Sequence, residues 1–200
     1  KSYSIDINVR IILELSRRDF FNDLEFSIYG TGTEHDWMVE PLRQFKNVHI
    51  YNKYLNHEEI AKMHKEHGIG LFASRFDTMG VSACEAAMSG NVVITSKGIG
   101  TEEYINPKLG TYCNTENYKE YADLIEKLYY DPKLFDELSK SMHKSVMDTC
   151  SYNKSIKRDL DLIESFNDTE NLIIPTIKEK PLLSISIAAY NISKFVIQIF

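Results

Sequence analysis

An acid, a glycine and a second acid, Asp77, Gly80 and Glu85, fall within one stretch, Ser74 to Ile105, that also carries an apolar strand pattern and a glycine turn at Gly98 to Gly100. The run Ile69-Gly70-Leu71-Phe72-Ala73 just before them reads as a parallel strand, and a helix should begin near Gly80 or Val81. The first amides of a helix have no intrahelical partner, so a ligand phosphate can sit on them. Glu85 follows Asp77 by eight positions. The first carboxylate therefore lies on the loop leaving the strand, and the second projects from the helix about one turn in. The spacing predicts two acids facing one crevice at different depths. Such an arrangement suits a ligand with hydroxyls at both ends and phosphates between them, the layout of a nucleotide sugar.

Holding these residues requires a scaffold of alternating strands and helices, and the flanking sequence predicts one. A helix is expected from Asp6 to Arg18, a strand over Leu24 to Tyr29, a helix over Glu34 to Phe45 interrupted near Pro41, and a strand over Asn47 to Tyr51. Asn56 with Glu59 three positions on forms a helix-opening pair, and that helix runs to about Glu66. A strand begins at Asn91 and a short one lies near Gly110 to Tyr112. The alternation implies an α/β fold, a doubly wound parallel sheet with helices on both faces. Ligands of such sheets bind outside the carboxyl ends of the strands, where Gly30, Asn52, Asp77 and Gly98 fall. From Thr115 the chain turns helical, with helices over Tyr118 to Tyr130, from Asp131-Pro132 onward, and over Tyr152 to Phe166. Residues 167–180, with Pro175, read as a linker after a domain of residues 1–166.

Composition excludes several classes. Two hundred residues with 43% hydrophobic content suffice for a core, and a net charge of -6 offers no electrostatic case for nucleic acid. Cys84, Cys113 and Cys150 are odd in number and widely spaced, which favours reduced thiols and a cytoplasmic setting. No apolar run is long enough to span a bilayer. The six histidines form no metal-ligand set; His64 and His67 share a helix without a third ligand.

In Glu85-Ala86-Ala87-Met88-Ser89-Gly90, preceded by Asp77 and followed by Asn91-Val92-Val93-Ile94-Thr95 and Gly100-Thr101-Glu102-Glu103-Tyr104-Ile105, the chain resembles the GT-B, group 1 or family-four, retaining glycosyltransferases. Their pattern is an acid, seven residues, then Glu-Ala-Met-x-x-Gly. Phe26-Ser27-Ile28-Tyr29-Gly30-Thr31-Gly32 resembles their strand and Gly-x-Gly loop, and the resemblance covers roughly residues 1 to 150. It implies the Rossmann-like carboxyl-terminal half of a GT-B enzyme, which binds a UDP- or GDP-sugar donor without metal or other cofactor. The acceptor, a glycan or a lipid-linked sugar, would be held mainly by an amino-terminal domain missing from this chain. The implied role is hexosyl or N-acetylhexosaminyl transfer in building a surface polysaccharide or related glycan, at the inner membrane face or in the cytoplasm, with the isolated chain inactive.

By the same resemblance Glu85 accepts from the donor ribose hydroxyls and the backbone of Thr78, Met79, Gly80 and Val81 holds the diphosphate. Gly30 and Gly32 flank the donor, and Asn52, standing where the family has glycine, begins the segment with Lys53 and Tyr54 that meets the base. Lys1 reads either as the remnant of the family's basic pair that neutralises the diphosphate or as an exposed residue without a role. Asp77 takes the place of the family's catalytic-site Glu, one methylene shorter, and so reads either as a contact to the donor sugar or as a cap on the following helix. Gly30-Thr31-Gly32 reads also as an ordinary tight turn. The rival functions are a nucleotide-sugar-binding module without catalysis and a GT-B relative such as an epimerase. Finally, Pro181 to Asn191, with Leu183, Ile185 and Ile187 alternating with serines, resembles the opening strand of a family-two, GT-A glycosyltransferase. That resemblance implies a second domain beginning in residues 181–200.

Overall fold

The computed structural model describes residues 4–167, with side chains through residue 165. Lys1 and the segment resembling a second transferase lie outside the described residues. The chain divides into two compact units, Lys1–Arg158 and Asp159–Phe200. The described part of the second unit is the end of the final helix.

The elements alternate as the pattern predicts: α1 (Ile5–Leu15), β1 (Phe26–Tyr29), α2 (His35–Val39), β2 (Val48–Tyr51), α3 (His57–Glu66), β3 (Ile69–Phe72), α4 (Val81–Met88), β4 (Val92–Ser96), β5 (Tyr112–Cys113), α5 (Tyr118–Tyr130), α6 (Pro132–Cys150) and α7 (Tyr152–Asn167). Helix α1 buries Ile7, Ile11 and Leu15, one residue per turn of a single stripe. It stops at Leu15, short of the expected Arg18, and Ser16 turns its hydroxyl back to the Leu13 carbonyl at 2.8 Å. The helix expected over Glu34 to Phe45 is shorter still. It yields at Val39 to a 3-10 turn over Glu40–Leu42, because Pro41 has no amide to continue the α ladder. Helix α3 opens with a reciprocal cap: the Glu59 amide donates to Asn56 Oδ1 and the Asn56 amide to Glu59 Oε2, both at 2.9 Å. Asp131 caps α6 through the Leu134 amide at 2.9 Å, with Pro132 at the first turn.

All strand pairs are parallel. Strand β1 pairs with β2, β3 with β4, and β4 with β5. The order is therefore β2-β1 in one ladder and β3-β4-β5 in a second, and among the described residues no ladder joins β1 to β3. Strand β4 is buried at all five positions, whereas every residue of β1 and β3 is only half-buried. The core runs from α1 through β4 to α5 and α6, where Ile11, Ile94, Tyr121 and Met142 are all fully buried. Truncating such a residue as Ile94 to alanine costs about 2–5 kcal/mol. Ser96, buried in this core, is paired: its Oγ bonds to the Tyr121 hydroxyl at 2.8 Å and accepts from the Ser74 amide at 2.9 Å. That bond fixes the point at which the chain leaves β3 for the loop carrying Asp77.

Candidate functional site

At the carboxyl ends of β1 and β3 the protein opens a cleft of about 750 Å³. One wall is the Gly30–Glu34 loop with His35 of α2. The other is the Asp77–Gly80 loop with the first residues of α4. Gly32 has φ 147°, a conformation other residues rarely adopt, so the loop from β1 can turn flat across the cleft mouth.

The second wall is tightly specified. Asp77 Oδ1 accepts from the amides of Met79 at 3.0 Å and Gly80 at 2.7 Å. Gly80 has φ 65°, and a Cβ there would meet the Thr101 methyl at 2.5 Å and the Tyr104 hydroxyl at 2.9 Å. From the far side the turn after β4 presses in: the Gly100 amide donates to the Asp77 carbonyl at 3.1 Å, and a Cβ on Gly100 would collide with the Thr78 carbonyl. The Tyr104 hydroxyl contacts the carbonyls of Met79 and Gly80, and Glu102 takes the Gly98 amide at 2.6 Å. Loop 77–80 is thus held by its own acid on one side and by the 98–104 turn on the other.

Helix α4 starts on this loop. The Gly80 carbonyl accepts from the Ala83 and Cys84 amides, while among the described residues nothing accepts from the amides of Thr78, Val81 or Ser82. Val81 and Ser82 both line the cleft. Two unsatisfied donors at the positive end of a helix are a site for an anionic oxygen.

The structure brings together Gly30, Gly32, Asp77, Thr78, Met79, Gly80 and Val81 around one cleft. The expectation that both acids face it is met by Asp77 and not by Glu85, which is absent from the cleft lining. Glu85 is half-buried on α4, and its charge acts on His64 of α3: burial holds the His64 pKa below its ordinary value, and the carboxylate offsets only part of that. Ser89 links the two helices, donating to the Glu85 carbonyl at 2.9 Å and lying 3.3 Å from His64 Nδ1. The segment Asn52 to Tyr54 forms the neighbouring loop after β2, where Tyr29 and Tyr51 stack with centroids 4.6 Å apart. There the Lys53 ammonium donates to Glu59 at 3.1 Å and Tyr54 is 77% exposed.

Three residues that the sequence reading passed over belong to the site. Asn8 of α1 and His35 of α2 line the cleft, and Asn8 Oδ1 and His35 Nε2 are buried without a partner among the described residues. His35 follows Gly32 by three positions and packs its ring 3.4 Å from where a Gly30 Cβ would stand, so closeness to the Gly-x-Gly loop was the signal available. Tyr104, the third, sits in the turn already singled out for its glycines.

A parallel α/β scaffold with helices between its strands and a cleft at the strand ends defines a Rossmann-like class of domain. The chain belongs to the glycosyl transferases group 1 family, whose model matches residues 8–145. Among curated proteins it is 26% identical over 110 residues to "Glycogen synthase" of Mycobacterium tuberculosis, covering 53% of this chain and 26% of that one. It is 30% identical over 158 residues to "Probable sucrose-phosphate synthase" of Thermosipho melanesiensis, covering 76% of this chain and 34% of that one. The chain therefore spans between a quarter and about a third of the length of these relatives. Among solved structures it resembles a TarM variant from S. aureus determined with fondaparinux, α-GlcNAc-glycerol and UDP, at TM-score 0.67 and 21% identity over 81% of this chain and 33% of that one. It also resembles the sucrose-phosphate synthase of Thermosynechococcus elongatus, at TM-score 0.68 and 15% identity over 84% and 43%. These likenesses establish the GT-B, Rossmann-like fold. Among the described residues no helix is long and apolar enough to cross a membrane.

Proposed function

We propose that this chain is the donor-binding part of a group 1 glycosyltransferase and holds a nucleotide diphosphate sugar, a UDP- or GDP-sugar, for transfer with retention at the anomeric carbon. The observation that carries the reading is the pair of amides at Val81 and Ser82, unpartnered among the described residues, at the start of α4 in a cleft whose other wall is the Gly30–Gly32 loop. When the bond between sugar and diphosphate breaks, negative charge grows on the leaving phosphate. Fixed amide donors stabilise that charge without reorganising, an effect of about 2.7–4 kcal/mol per donor in comparable sites. Glu85 lies one turn below Val81 and outside the cleft lining, and the family resemblance alone supports it as the acceptor for the ribose hydroxyls; the free oxygen of Asp77 is the group assigned to the sugar. The segment Asn52 to Tyr54 meets the base, and Lys1 adds positive charge near the diphosphate. The acceptor, a glycan or lipid-linked sugar, is held by the remainder of a longer protein, so this chain alone binds donor without transferring it.

The engagement of Asp77 Oδ1 with its own loop favours one rival, a nucleotide-sugar-binding module without catalysis. Calorimetric titration of the chain with UDP and GDP tests the main reading, and binding of one of them is the expected result. Failure of both to bind overturns it. Transfer by the full-length protein then separates enzyme from module.

A further inference from the structure

Tyr104 is 3% exposed, and its hydroxyl touches two carbonyls of the donor loop, Met79 at 2.7 Å and Gly80. Carbonyls only accept, so the tyrosine donates its single proton to both in a three-centre bond. The two acceptors differ in how else they are held. The Gly80 carbonyl also receives the Ala83 and Cys84 amides, whereas the Met79 carbonyl has no other donor among the described residues. Tyr104 therefore fixes the Met79–Gly80 peptide from its carbonyl side, as Asp77 Oδ1 does from its amide side.

In a trans peptide the carbonyl and the following amide point in opposite directions. With the Met79 carbonyl turned to Tyr104, the Gly80 amide must face away, and it is found on Asp77 Oδ1 at 2.7 Å. With the Gly80 carbonyl turned the same way, the Val81 amide faces the cleft and is left without an acceptor. The space behind the loop is closed by the Gly100 amide on the Asp77 carbonyl, so the loop cannot rotate away as a body.

We propose that the Tyr104 hydroxyl is a positioning group for donor binding: by holding the Met79 and Gly80 carbonyls, it seats the Gly80 amide on Asp77 Oδ1 and leaves the Val81 amide open to the phosphate side of the cleft. This rests on reading the cleft as the nucleotide site. Burial pushes the Tyr104 pKa well above the ordinary tyrosine value, so the hydroxyl keeps its proton, and its donor role, through neutral and mildly alkaline pH. The role differs from generic core packing because the ring and the hydroxyl separate: Tyr104→Phe keeps the ring and removes the donor.

The experiment compares wild type and Tyr104→Phe by calorimetry with UDP and with uridine, or with GDP and guanosine if GDP is the better ligand. Hydrogen exchange at the Gly80 amide is followed by NMR in both proteins. The expected result is diphosphate binding weakened by about three- to tenfold, nucleoside binding unchanged, and faster exchange at Gly80 in the variant, as loss of one buried hydrogen bond implies. Unchanged diphosphate affinity, or an equal loss for diphosphate and nucleoside, overturns the proposal, since a loosened core lowers both. If wild type binds neither nucleotide, the donor reading fails. The exchange rate at Gly80 still decides whether Tyr104 orients the loop, because that measurement needs no ligand.

Discussion

Asp77 is the residue at which two roles make different predictions. Its Oδ1 accepts from the Met79 and Gly80 amides at 3.0 and 2.7 Å, and both bonds are charge-assisted. Asp77→Asn keeps an oxygen at the same place and loses the charge. A charge-assisted bond contributes about 1.5–3 kcal/mol and a neutral one about 0.5–1.5 kcal/mol, so the loss is about 1 kcal/mol per bond at most in this half-buried loop. Asp77→Ala removes the one oxygen that accepts both bonds and frees the loop, a local loss of about 3–6 kcal/mol before water replaces the lost partner. Nucleotide affinity should therefore be nearly unchanged in Asp77→Asn and about tenfold weaker in Asp77→Ala, with tenfold corresponding to about 1.4 kcal/mol. On the proposed role, in which the free oxygen of the carboxylate reaches the sugar, transfer by the full-length protein should fall in both variants. Calorimetry on the chain and product formation by the intact protein give the two readouts. Equal affinities for Asn and Ala would show that the amide bonds do not hold the loop. Full transfer by Asp77→Asn would leave Asp77 as a cap alone.

Three further outcomes follow from the same coordinates. Glu85→Ala should weaken nucleotide diphosphate binding by about ten- to a hundredfold, equivalent to about 1.4–2.8 kcal/mol, while the thermal midpoint moves little; unchanged affinity in calorimetry removes Glu85 from the ribose site. Burial, reinforced by the neighbouring Cys150, pushes the Cys84 thiol up to about 11. Iodoacetamide should accordingly modify Cys84 slowly at pH 8 and fast only near pH 11, and labelling at pH 8 as rapid as that of a free cysteine contradicts this. The Arg75 guanidinium, bonded to both Asp6 oxygens at 2.9 and 2.8 Å, holds the Asp6 pKa below its ordinary value. A lowered carboxylate pKa gives stability that is complete above the unfolded value of about 4 and lost as pH falls through the folded one. Asp6→Asn should therefore cost less than about 1 kcal/mol at pH 7 and close to nothing at the acid end of that window, with the pH 7 difference shrinking in high salt. Urea midpoints across pH measure this, and a deficit that persists in acid assigns the effect to packing.

The parts of the fold that were legible in the sequence are those set by neighbours along the chain. The Asn56 and Glu59 cap, the Asp131-Pro132 helix start and the strand Ile69–Phe72 each depend on a few consecutive residues, and the structure has them. What stayed hidden depends on contacts between distant residues. The separation of β1 from β3 is a matter of strand pairing, which the composition of either strand does not encode. The Tyr104 hydroxyl reaches Met79 across 25 positions, and the ring alone reads as core. Glu85 shows the limit of spacing arguments. Its distance from Asp77 along the chain was readable, but its direction is decided by which face of α4 is buried. Ala83, Ala86 and Ala87 take the core side, and at about 100° per residue Glu85 falls with Val81 and Met88 on the opposite side, below the cleft rim.

The same topology explains why the cleft lies where it does. The β1-β2 and β3-β4-β5 ladders are both parallel, and the cleft lies between the loops leaving β1 and β3, at the carboxyl ends of the strands, where parallel α/β sheets bind ligands. The two loops are braced separately. The loop from β1 relies on Gly32 and on His35 packed behind Gly30, and the loop from β3 borrows its support from the next strand's turn, through Gly100, Thr101 and Tyr104. The rigidity of the loop after β3 is thus supplied by the turn after β4, whose Ile99 and Thr101 also line the cleft. Substitution of Gly100 or Tyr104, neither of which lines it, should accordingly alter donor affinity.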